Sequence, residues 1–102
     1  MSSESSESSE GEFRRDARIR NRLGLHARAA VTFVKLANKF PCEVKVGKDG
    51  TIANGKSIMG LLTLVAALGS SLTIICEGAG AEAAVQQLFE LVDQGFGEGI
   101  EK

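Results

Sequence analysis

The stretch NRLGLHARAAVTFVKLA, Asn21 to Ala37, sets the fold and holds the only histidine of the chain. Apolar residues recur at Ala30, Phe33, Val34 and Ala37, the i, i+3, i+4, i+7 stripe of a helix that buries one face. The spacing predicts a helix over residues 27 to 40, closed by Pro41. Gly24 permits a tight turn just upstream, so His26 falls at the helix cap or beside it.

Working outward from this helix, FRRDARIRN alternates Ala17 and Ile19 with Asp16, Arg18 and Arg20, the pattern of a half-buried strand. CEVKVGKDGTIANG reads as two short strands about Asp49-Gly50, a dipeptide that favours hairpins. A second helical stripe at Ile58, Leu61, Leu62 and Val65 is predicted to run to Gly69, with Leu61 and Val65 buried and Met59 and Leu62 partly exposed. SLTIICE turns Leu72, Ile74 and Cys76 inward as a fourth strand. The last helix buries Ala81, Ala84, Val85, Leu88 and Val92. The order βαββαβα in so short a chain predicts an α+β fold, with an antiparallel or mixed four-stranded sheet carrying its three helices on one face.

A chain of 102 residues suffices for one core, and its 43% apolar content without a long apolar run predicts no membrane insertion. The opening MSSESSESSE has neither a basic start nor an apolar stretch and does not read as a secretory signal, so a cytoplasmic location is expected. Cys42 and Cys76 are then expected to be reduced and buried. Residues 1–12 read as a disordered acidic, serine-rich tail, 13–95 as the folded domain and 96–102 as a flexible end.

The net charge of −1 is unevenly distributed. All six arginines lie between Arg14 and Arg28, and without residues 1–12 the chain has twelve basic against nine acidic residues, a balance of +3. Such a surface favours an acidic partner or a phosphate, although arginines at 14, 15 and 18 also suit a charge-protected edge strand. RNA recognition fits poorly. Trp and Tyr are absent, and of five phenylalanines only Phe13 falls on a predicted strand, which leaves no platform for stacked bases. One histidine and two separated cysteines give no metal-ligand spacing, and no phosphate-binding loop motif or dinucleotide fingerprint is present. Cofactors are not expected.

What remains is chemistry at a helix end. The first N–H groups of a helix lack internal acceptors and sit at the positive end of its dipole, which makes an anion site. Donors from Ala27, Arg28 and Ala29 would surround the His26 ring, within reach of the Arg28 guanidinium. A neutral imidazole so placed suits the receipt and release of a phosphoryl group, because each donor helps hold the transferring charge. The same position also suits a capping histidine that does no chemistry.

LGLHARAA resembles the phosphorylation motif of HPr, the histidine-containing phosphocarrier of bacterial phosphoenolpyruvate-dependent phosphotransferase systems, and KSIMG resembles the regulatory-serine motif of that family. The resemblance covers Phe13 to about Gly95 and implies an open-faced β-sandwich with a four-stranded antiparallel sheet. It implies that His26 is phosphorylated on Nδ1 by enzyme I, that Arg28 assists transfer, and that the phosphate passes to enzyme IIA-type acceptors. Gly24, Ala27 and Ala29 would surround the phosphoryl group. Ser57 would be the target of an HPr kinase/phosphorylase, and Ile58, Met59 and Leu62 would join Ala27 and Arg28 in docking partners. The protein is expected to be a carrier, not an enzyme, and a monomer. Many members have proline where Ala29 stands. NRLGLHARA is similar to the nitrogen-type branch, while KSIMG resembles the sugar-type branch, so both branches stay open. Ser57 also suits an ordinary helix cap.

Overall fold

The structure, a computed structural model, describes residues 11–100. Its elements are β1 (Glu12–Arg18), α1 (Ala27–Ala37), β2 (Glu43–Lys48), β3 (Thr51–Asn54), α2 (Ile58–Leu62), β4 (Ser71–Glu77) and α3 (Ala81–Asp93), followed by a 3-10 turn at Gly95–Gly97. The strands form one sheet in the order β1-β4-β2-β3, with every pairing antiparallel. The predicted βαββαβα order is therefore the observed one, and the sheet is wholly antiparallel.

Period-2 patterning decides which face of the sheet is buried. Ala17 pairs with Leu72, Val46 with Ile74, and Cys76 with both Phe13 and Val44. These residues point to the side on which Phe33, Leu61 and Leu88 are buried. Cys42 and Cys76 are buried free thiols, as expected from their apolar neighbourhoods. Arg15, on β1, spreads its guanidinium 3.8 Å over the Phe89 ring of α3 and bonds Gln86. One of the six arginines thus serves packing. Asp49 and Gly50 take φ of 51° and 85°, the two positive values that a tight two-residue hairpin requires.

The stripe of α1 is observed as read, with Ala30, Phe33, Val34 and Ala37 buried, although the helix ends at Ala37 and passes into a turn before Pro41. Truncating Phe33 to alanine would remove about 3–5 kcal/mol, the usual cost of a deleted core aromatic.

The second helix differs from its prediction. It stops at Leu62, where Thr63 donates its hydroxyl to the Gly60 carbonyl at 2.6 Å and its N–H to the carbonyls of Met59 and Gly60. These bonds tighten the last turn and redirect the chain. Leu64 and Ala66 then occupy the buried positions, while Val65, expected in the core, is 78% exposed with φ of 49°. Gly69, expected to cap this helix, instead donates its N–H to the Ile19 carbonyl at 2.9 Å and fixes the exit of β1.

Both chain boundaries also shift. β1 opens at Glu12, inside the segment read as tail, whose residues 1–10 lie outside the described ones. Past residue 95 the chain still packs, since Phe96 is 4% exposed and belongs to the core. Left-handed glycines at 95, 97 and 99 let the backbone fold back at this point.

Candidate functional site

The turn before α1 is built around Asn21, the one buried polar residue among those described. Its Nδ2 donates at 2.9 Å to the Gly24 carbonyl, and its carbonyl accepts the Gly24 N–H at 3.2 Å. Gly24 has φ of 69° and lies against the segment after α2, where the Ala66 carbonyl accepts the Leu25 N–H at 2.9 Å. The buried Leu25 completes the anchor. His26 is consequently held at a fixed place.

His26 is the N-cap of α1, with extended backbone, and its Nδ1 accepts the Arg28 N–H at 3.3 Å. Ala27, Arg28 and Ala29 form the first turn, where no preceding carbonyls are available. The sequence-predicted juxtaposition of ring, helix end and Arg28 is therefore present, with Ala27 exposed and Ala29 buried beneath it. Gly24 donates its N–H to the Asn21 carbonyl and shapes the turn before α1.

A residue that sequence reasoning missed completes the cluster. Glu98 Oε2 lies 2.6 Å from His26 Nε2 and 3.3 Å from Arg28 Nε, and Oε1 accepts from Asn21 Nδ2 at 2.9 Å. The His26 and Glu98 side chains are only 23% and 19% exposed, against 71% for Arg28. Burial pushes the Glu98 carboxyl upward, but hydrogen bonds from Asn21, His26 and Arg28 outweigh it and hold the group below its ordinary value. Glu98 is thus a carboxylate at neutral pH. In the sequence it stands only as an acid among the glycines at 95, 97 and 99.

Ser57 is the N-cap of α2, its Oγ accepting the Gly60 N–H at 3.0 Å. Beside it Met59 is 73% and Ile58 36% exposed, while Leu62 is partly buried. Leu23 and Val65, unremarked or misplaced by the sequence, add exposed apolar surface, and Leu23, Leu62 and Val65 line one shallow depression with Ala66 and Ala67. Among the described residues no helix is long and apolar enough to cross a membrane.

Residues 13–94 match the family model described as PTS HPr component phosphorylation site. The chain is 41% identical over 85 residues to phosphocarrier protein HPr of Cupriavidus necator, covering 83% of this chain and 96% of that protein. It is 38% identical to phosphocarrier protein NPr of Shewanella violacea, covering 82% and 92%. The crystal structure of HPr-C-His from Thermoanaerobacter tengcongensis superposes with a TM-score of 0.82 at 38% identity, over 86% of this chain and 99% of that one. HPr of the same organism has also been solved as a dimer, with a TM-score of 0.68 at 41% identity, over 78% and 92%. An open-faced sheet with helices on one side and a histidine capping the first helix defines a carrier fold. The chain belongs to the HPr phosphocarrier family.

Proposed function

We propose that the chain carries a phosphoryl group on His26 Nδ1, received from phosphorylated enzyme I and passed to enzyme IIA-type acceptors of a sugar phosphotransferase system. One observation carries this reading: Nδ1 accepts the Arg28 N–H at the start of α1 and therefore presents its lone pair where helix-end donors converge. In the forward step the Arg28 N–H gives up that lone pair, which attacks phosphorus. The bond from phosphorus to the donor atom breaks, and its electron pair returns to that atom. As charge develops on the phosphoryl oxygens, the first-turn N–H groups and the Arg28 guanidinium can hold it.

In this reading Ser57 is a regulatory site for an HPr kinase/phosphorylase, and Ile58, Met59 and Leu62 belong to the docking surface. The carrier works as a cytoplasmic monomer, without nucleic acid or cofactor. Similarity to an NPr and the NRLGLHARA stretch favour the nitrogen-type branch as the second reading, in which the final acceptor is regulatory.

The test is incubation with enzyme I and phosphoenolpyruvate, read by intact mass. A gain of one phosphoryl group that is lost in acid, and absent from His26→Ala, is the expected result. Unchanged labelling of the variant would overturn the assignment. Onward transfer to sugar-type or nitrogen-type acceptors then separates the branches.

A further inference from the structure

We propose that Glu98 is a positioning residue for His26: its carboxylate accepts Nε2–H and thereby holds the ring in the tautomer whose lone pair lies on Nδ1. The proposal deepens the phosphocarrier reading and rests on it for the identity of the reacting atom.

The two ring nitrogens have different partners. Nδ1 faces a backbone N–H, that of Arg28, which can only donate. Nε2 faces Glu98 Oε2 at 2.6 Å, and an ionised carboxylate can only accept. In the neutral ring these two demands are met together by the Nε2–H form alone. The bond at Nε2 also fixes the ring plane, as a hydrogen bond to the second nitrogen does for a histidine that acts through the first.

The carboxylate is itself held from three directions. Asn21, fully buried, donates to Oε1 through the amide nitrogen that also holds the Gly24 carbonyl. Arg28 Nε reaches Oε2, and Phe96, two residues upstream, anchors the segment in the core. A β-carbon added to Gly95 would lie 3.4 Å from Asn21 Cβ, so the backbone passes close to the residue that orients the carboxylate. The charged groups around the ring are Glu98 and Arg28, with Arg22 lining the same depression beside Glu98.

Shared use of Arg28 has a consequence. In the unphosphorylated protein its guanidinium is engaged by Glu98, whereas a phosphoryl group on Nδ1 offers three acceptor oxygens and competes for it. The ring bond to Glu98 survives phosphorylation, because Nε2 keeps its proton.

The test has two arms. With 15N-labelled histidine, the wild-type protein should show Nε2 bonded to hydrogen, Nδ1 unprotonated, and an Nε2 proton slow enough in solvent exchange to be seen directly. Glu98→Ala should lose that proton signal, while Glu98→Gln, which keeps an acceptor oxygen, should retain it. In phosphotransfer from enzyme I, Glu98→Ala should lower kcat on the order of tenfold with KM little changed, as for a misaligned reacting group, and Glu98→Gln should recover part of the loss. Thermal melting of both variants controls for folding. A wild-type proton on Nδ1, a proton signal that persists in Glu98→Ala, or wild-type kcat in a folded Glu98→Ala would each overturn the proposal. The spectroscopic arm involves no phosphate, so its failure is distinguishable from failure of His26 to be phosphorylated.

Discussion

A β-carbon on Gly24 would lie 2.5 Å from the carbonyl oxygen of Ala66, closer than such atoms can approach. The same carbonyl accepts the Leu25 N–H at 2.9 Å, so it cannot retreat without breaking the bond that seats the histidine turn. Gly24 combines this contact with φ of 69°, which costs a residue with a side chain about 1–2 kcal/mol by itself. Gly24→Ala should therefore destabilise the protein by about 2–4 kcal/mol and shift the His26 resonances. Denaturant unfolding and a histidine-selective spectrum would check both effects. Wild-type stability would show that the turn moves without cost.

Arg28 contrasts with this rigidity. Its side chain is 71% exposed and reaches only Glu98. Arg28→Ala should alter stability by less than about 1 kcal/mol while slowing phosphotransfer strongly. Arg28→Lys should restore part of the rate, since a point charge lacks the planar fork. Stopped-flow transfer beside thermal melting separates the two roles, and a normal rate in Arg28→Ala would reduce Arg28 to a surface charge.

Ser57 caps α2 through the Gly60 N–H, so Ser57→Ala should lose about 1 kcal/mol in urea unfolding and transfer normally. Ser57→Asp keeps an acceptor at the cap and adds charge beside Ile58 and Met59, as a phosphate would. It should raise KM for phosphorylated enzyme I more than it lowers kcat, with the gap closing as salt is added. Equal KM at low salt would leave Ser57 as a helix cap only.

Burial, with the neighbouring Cys42 adding to it, pushes the Cys76 thiol from 9.0 up to about 12. The unfolded chain releases this proton first as pH rises, so the buried thiol's contribution is complete below about 9 and lost on the way to about 12. Melting temperature should fall across that window, and by less in Cys76→Ala. Below it, with Cys42 and Cys76 only 3% and 0% exposed, a disulfide reagent should label both thiols in denaturant and neither in the native protein.

The parts legible in the sequence are those in which periodicity and burial coincide. The α1 stripe, the Asp49-Gly50 hairpin and the inward alternation of β4 follow from patterns that tertiary contacts reinforce. Val65 was misread because an apolar run has no built-in stop signal. The side-chain hydroxyl of Thr63 turned the chain, and Leu64 took the core position. His26, Arg28 and Ser57 stood out through the LGLHARAA and KSIMG motifs, each at the start of a predicted helix, although helix position alone suits a plain cap as well. Glu98 was not, since its partners lie 72 and 70 positions away and no local pattern records a contact over that separation. Asn21 was hidden for a related reason: its burial depends on the end of the chain folding over it.

The strand order β1-β4-β2-β3 bears on how quickly the protein acquires its shape. The first strand has no sheet partner until the last has been made, and β4 alone joins it to the β2–β3 hairpin. The loop that must close before Ala17 meets Leu72 spans most of the described domain, and such distant pairings slow the search for the native state. The hairpin, joined by a two-residue turn, can form within microseconds. Refolding should then show local hairpin structure before β1 docks, with the imidazole of His26 acquiring its native environment only in the later, millisecond-to-second phase.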